Sequence, residues 1–188
     1  MARRVRKPKP CIYQLHVALK DMEAPVWRRV LVRSDAPLDA IHFVLNEAMG
    51  WNNSHLHLLV FDKRTFANPD IDEGTDFEDE RAVCLDELVG VGDRFSYHYD
   101  FGDDWMHQVR VEKKLPIDDR FSYPVCIGGA RACPPEDCGG PFGYERLLSA
   151  LLNDDDDELV SWVGGFFDPE GFDVNRTNQR LREFFRGF

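Results

Sequence analysis

Within its first fifty residues the chain changes the period of its apolar side chains, and that change constrains the fold more than any other feature. Residues 12–19 (IYQLHVAL) set Tyr13, Leu15, Val17 and Leu19 against Gln14 and His16, a two-residue alternation. Residues 26–32 (VWRRVLV) read as a second strand, and the intervening KDMEAP supplies turn residues, so the two form a hairpin. From Pro37 to Met49 the spacing becomes three and four through Leu38, Ile41, Val44, Leu45 and Ala48, with Ser34 or Asp35 as start signal and Gly50 as stop. A chain that offers one apolar face by strand period and the next by helix period is expected to lay a helix on a sheet.

Further along, residues 55–61 (HLHLLVF) read as a strand. On it His55, His57, Leu59 and Phe61 share one face, and Leu56, Leu58 and Val60 share the face expected under the helix. Asp62 to Glu80 is acidic and poor in aliphatic residues, which predicts a long mobile loop. A short helical turn follows at Leu85 to Val89. Residues 93–100 and 105–113 form a second hairpin around FGDD, with Gly102 available for positive φ. Pro116 to Gly143, dense in Pro, Gly and Cys, predicts an ordered irregular loop, and helices are expected near 143–152, 156–164 and 175–185. The expected class is α+β: a mostly antiparallel twisted sheet, roll or β-grasp-like, with one helix across a face and the C-terminal helices packed elsewhere.

The charge is unevenly placed. The chain carries a net −11, yet residues 1–10 hold Arg3, Arg4, Arg6, Lys7 and Lys9 and no carboxylate. We read residues 1–10 as a basic, disordered arm and 11–188 as one domain. A body so acidic repels phosphate over most of its surface, which leaves residues 1–10 as the place for any nucleic-acid contact and makes a basic protein the natural partner. No stretch is long and apolar enough for a membrane span, no secretory h-region follows the basic start, and five cysteines fit a reducing compartment. Cytoplasm is the expected location.

Three groups of side chains carry candidate chemistry. If FGDD is a four-residue loop, His98 falls opposite His107, and with His55 and His57 they form a candidate cation or proton-transfer site. The alternative is four separate, hydrogen-bonded histidines among aromatic rings. Cys126, Cys133 and Cys138 follow a C-x6-C-x4-C spacing, which can contribute thiolates to a divalent metal such as zinc, or pack as free thiols in a proline-stiffened loop. Asp103, Glu136 and Asp137 are the acidic candidates, with turn and helix-start roles as the alternative. Asp100, Phe101 and Gly102 spell a kinase-like triplet without the remaining kinase elements, and no phosphate loop, nucleophile elbow or H-E-x-x-H occurs.

The segments GWNNSHLH, YDFGDDWMH and YPVCIGGARACPPEDCGGPFGY, with Trp27 and Arg28 before them, resemble in that order the plasmid Ri-type ORF-three-like family across residues 11–185. The resemblance implies an α+β, roll-like sheet domain and no established activity. Its typical motif positions fall on Trp51, His55, His57, Asp100, Gly102, Asp103, Trp105, His107, Pro134, Pro135, Glu136, Asp137, Gly139, Gly140, Gly143 and Tyr144. Members are sometimes labelled TnpR resolvases, but a serine recombinase needs an activated serine and a basic DNA-binding region, which this acidic body does not offer. The leading functional expectation is a non-catalytic binding or interaction domain. The others are a metal-dependent hydrolytic enzyme, which requires the three motifs to meet at a cleft, and a DNA-associated accessory protein of mobile elements.

Overall fold

In the computed structural model, residues 9–70, 76–153, 156–164 and 167–186 are described, and residues 1–8 of the basic arm lie outside them. The first hairpin pairs β1 (Ile12–Leu19) with β2 (Trp27–Arg33), antiparallel. Helix α1 (Leu38–Met49) follows, then β3 (His57–Phe61), β4 (Arg64–Ala67), β5 (Glu78–Asp79), β6 (Arg94–Tyr99), β7 (Trp105–Leu115) and β8 (Val125–Ala130). Three helices close the chain: α2 (Gly140–Asn153), α3 (Asp157–Trp162) and α4 (Val174–Phe185). All eight strands join one sheet in the order β5-β4-β3-β6-β7-β1-β2-β8, and only the β4–β5 pair is parallel. The fold is α+β, as the two periods require.

Helix α1 starts at Leu38 without a side-chain cap. Ser34 is spent elsewhere: its hydroxyl accepts from the Cys11 N–H and donates to Asp86, while Asp35 pairs with Arg33. The helix is held instead by Leu38 N–H donating to the Val83 carbonyl, and it stops where Gly50, at φ 115°, returns its N–H to Asn46. Leu38, Ile41 and Leu45 are fully buried against the sheet, each contributing about 2 kcal/mol by removal from water.

Four expectations are corrected. The face of β3 under the helix is His57, Leu59 and Phe61, all buried, whereas Leu58 and Val60 are half-buried on the other side. The segment 62–80 is not one long loop: β4 pairs with β3, β5 pairs with β4, and Arg64 bonds Glu78 across them, while residues 71–75 lie outside the described residues. Within 116–143, β8 pairs with β2 at the sheet edge. The second hairpin turns through five residues rather than four, so Tyr99 faces Trp105 and His98 faces Met106. Asp100 and Asp104 take the positive φ values, 59° and 57°, not Gly102, and the Asp100 carboxylate holds the turn by accepting from the N–H groups of Gly102 and Asp103.

Among the described residues, no helix is long and apolar enough to cross a membrane.

Candidate functional site

The helix-covered face of the sheet carries polar rings as well as aliphatic side chains, and these rings form one wall of a cleft. His42, on α1, and His57, on β3, stack with centroids 3.4 Å apart and planes within 2°. With Asn53 presenting its carbonyl oxygen at 2.8 Å, Nε2 of His42 donates, which leaves Nδ1 to accept from the Tyr97 hydroxyl at 2.9 Å. Burial, then the charge of His57, push the His42 pKa down to about 3, against the opposing bond to Asn53. His57 bonds Glu80 through Nε2 at 2.7 Å, and both are buried.

The mouth of the cleft is built by three segments distant in sequence. His55, just before β3, places Nδ1 3.5 Å from Asp100 and Nε2 3.3 Å from Asp137. Asp100 is buried at the start of the β6–β7 turn. Its Oδ1 is engaged by two backbone N–H groups, and Oδ2 is the oxygen aimed at His55. Asp137 is exposed and sits at φ 59° after the Pro134–Pro135 pair. That loop is docked by the Trp51 indole N–H on the Pro134 carbonyl and by Glu136, which accepts from Asn52, Ser54 and Tyr99. One ligand atom from each of His55, Asp100 and Asp137 lies within 4.8 Å of the others. The cleft beside them has a volume of about 500 Å³, and Asp39, Phe43, Leu56, Asn68, Arg81 and Phe101 are also among its lining residues.

The remaining sequence candidates lie outside this cluster. His98 is on the opposite sheet face, with Nε2 2.8 Å from Asp104. His107 is fully buried, edge-on to Trp51, with Nδ1 3.1 Å from the Tyr97 carbonyl, and burial lowers its pKa to about 4. The one-residue difference in the turn puts the two histidines on opposite faces. The Asp103 carboxylate accepts from the Gly139 N–H, joining the second and third motifs. Among the described residues no disulfide joins the cysteines. Cys126 lies on β8, and burial raises the thiols of Cys126, Cys133 and Cys138, the last to about 12.

Three members of the site escaped the sequence reading. Glu80 falls in a segment read as loop. His42 flanks the apolar stripe of α1, four residues before the buried Asn46, and that i, i+4 polar pair was its one signal. Asp100 entered as a motif position without a role.

Fold and site together define an α+β sheet protein with a histidine–carboxylate cleft assembled from three separated motifs. The chain belongs to the family described as Plasmid pRiA4b ORF-3-like protein, whose model matches residues 11–176. It is 37% identical over 160 residues to the uncharacterized protein y4hQ of Sinorhizobium fredii, covering 81% of each chain. It is also similar to the crystal structure of MM3350, a protein of unknown function from Methanosarcina mazei Go1, at TM-score 0.83 and 31% identity, over 91% of this chain and 98% of that one. Neither relative has an assigned reaction, ligand or partner in its name.

Proposed function

We propose that this protein is a binding domain that holds a divalent cation at the mouth of its cleft, with His55, Asp100 and Asp137 as ligands. The supporting observation is that three sequence-distant segments bring one imidazole and two carboxylates within 4.8 Å. That donor set suits borderline to hard ions such as zinc, manganese or iron(II). Asp100 is oriented by its two backbone bonds, and Asp137 by its neighbour Glu136, which is the outer support a metal ligand needs. The cleft leaves room for a small ligand next to the ion.

The test is metal content of the purified protein by mass spectrometry, followed by calorimetric titration of chelator-treated protein with zinc and with manganese. One ion per chain is expected, with affinity lowered more than about tenfold in His55→Ala and in Asp100→Asn. Unchanged affinity in both variants would sink the assignment.

A second reading, metal-dependent hydrolysis, is favoured by the buried His57–Glu80 pair in the cleft wall, an imidazole–carboxylate couple of the kind that transfers protons. It calls for metal-dependent turnover of an ester or phosphoester that disappears in both His55→Ala and His57→Ala. A metal-binding protein with no turnover on either class would leave the binding reading alone.

A further inference from the structure

The sheet face turned away from α1 carries a row of cationic and aromatic side chains that nothing in the cleft explains. Register places Arg94 on β6 directly opposite Arg110 on β7, Arg110 opposite His16 on β1, and His16 opposite Arg29 on β2. At about 4.8 Å per strand, this row runs about 14 Å straight across the sheet. Like charges directly opposite one another destabilise a strand pair, so the Arg94–Arg110 juxtaposition is a cost the fold bears without return. Both arginines are exposed, and among the described residues neither has an ion-pair partner.

The local composition is the reverse of the chain's. Strands β6, β7, β1 and β2 together contain a single carboxylate, Glu112, in a protein of net charge −11. Glu112 is already taken by a two-point bond to Arg29 and a bond from Gln14. Beside the row, Trp27 stacks on His16 at 5.3 Å between centroids, and the Arg29 guanidinium lies 5.0 Å from the Trp27 ring. Burial lowers the His16 pKa, with Arg29 and Arg110 adding to the effect and Glu112 opposing it, which keeps the ring a flat, neutral neighbour for Trp27.

We propose that this open face binds single-stranded nucleic acid, with Arg94 and Arg110 on the phosphates and Trp27 as a stacking platform for a base. A cationic track beside an aromatic ring on a sheet is the combination that single strands recognise without reading sequence. Double-stranded nucleic acid does not fit the aromatic half of this surface, because its bases are already stacked. An acidic peptide matches the cations and leaves Trp27 unused. The face is distinct from the cleft, and it relocates the nucleic-acid contact from the basic arm to the folded body.

The experiment is fluorescence anisotropy of a labelled twelve-residue oligothymidylate and of the matching oligouridylate with the full chain, arm included, from 50 to 300 mM salt. Saturable binding at low salt is expected. Arg94→Glu/Arg110→Glu should weaken it more than tenfold and flatten the slope of log affinity against log salt by about 1.4, at about 0.7 per lost phosphate contact. Trp27→Ala should weaken it about fivefold or more. Circular dichroism checks that the variants remain folded, Arg94 and Arg110 being exposed and Trp27 half-buried. Three results would each overturn the proposal: no saturable binding at 50 mM salt, the charge-reversed variant binding like wild type, or polyglutamate competing as well as unlabelled oligonucleotide at equal charge.

Discussion

The Tyr99 hydroxyl donates to Glu136 across 2.7 Å, and this bond joins the sheet to the loop that carries Asp137. The same carboxylate accepts from the Asn52 backbone and side chain at 3.0 Å each and from the Ser54 hydroxyl at 3.2 Å. One side chain thus holds all three motifs together. Burial and then the bond to Glu136 raise the Tyr99 pKa to about 12, so the phenol remains a donor at every physiological pH.

Replacing that carboxylate should therefore loosen fold and site at once. Glu136→Ala is expected to cost about 2 kcal/mol in urea unfolding, the range for losing hydrogen bonds to a charged acceptor, and to weaken cation binding because Asp137 is released. Glu136→Gln should recover part of both. A change below about 0.5 kcal/mol would mean that the Trp51–Pro134 contact alone seats the loop.

Acid should unfold the protein before its carboxylates titrate. His42 and His107 have folded-state pKa values of about 3 and about 4, whereas an unfolded histidine titrates near 6.5. Above pH 6.5 both states hold these rings neutral and stability is intact. As pH falls below 6.5 the unfolded chain takes up protons that the folded core refuses, and stability is lost progressively toward the folded values. Each ring removes up to about 1.4 kcal/mol per pH unit, so urea midpoints at pH 7.5, 6.0 and 5.0 should fall steadily. His107→Gln should lessen the fall. A flat profile down to pH 5 would show that the native core admits protons.

Buried polar rings explain why the sequence was legible in some places and misleading in others. The hairpin of β1 and β2 and helix α1 follow from apolar period, because most of their buried positions are apolar, and the buried Gln14, Arg28, His42 and Asn46 are too few to break it. On β3 that logic picks the wrong face: Leu58 and Val60 are more apolar than His57, yet His57 goes inside because Glu80 and the His42 ring satisfy it there. Such partners come from elements far apart in sequence, and no local pattern announces them. The β6–β7 register turned on whether Asp100 belongs to the strand or the turn, a choice made by its positive φ and its capping bonds. Strand β8 was hidden by glycines, and β4 and β5 by the acidic composition of the segment that holds them, although Arg64 of β4 bonds Glu78 of β5. The convergence of the three motifs was stated as a requirement of a site and was beyond what their spacing could establish.

On β8 a side chain from α4 takes the place of a neighbouring strand at Cys126. Asn178 of α4 donates through Nδ2 to the Cys126 carbonyl and accepts on Oδ1 from the Cys126 N–H, both at 2.8 Å, as a neighbouring strand would. Edge strands left with such groups free invite pairing between molecules. Asn178→Ala should cost about 1–2 kcal/mol and increase concentration-dependent self-association, readable by light scattering. Asn178→Asp, which keeps the acceptor and loses the donor, should be intermediate. Wild-type stability in the alanine variant would mean that water replaces the amide at no cost.

The approach of the third motif to the second is a contact between backbones, and this makes glycine a requirement there. A Cβ on Gly140, at φ 68°, would stand 2.3 Å from the Asp103 carbonyl oxygen and 3.2 Å from its carbon. Gly92 offers the control: its φ is 99°, but nothing lies within 4 Å of its Cβ position. Gly92→Ala bears conformational strain alone, about 1–2 kcal/mol. Gly140→Ala bears comparable strain and must also push the 134–140 loop away from the turn that holds Asp100, so it should cost at least twice as much. Because Asp137 travels with that loop, Gly140→Ala should reduce cation affinity while Gly92→Ala leaves it unchanged. Equal losses of stability and unchanged affinity in both variants would mean that the loop can withdraw without disturbing the site, and that backbone packing between Gly140 and Asp103 does not position Asp137.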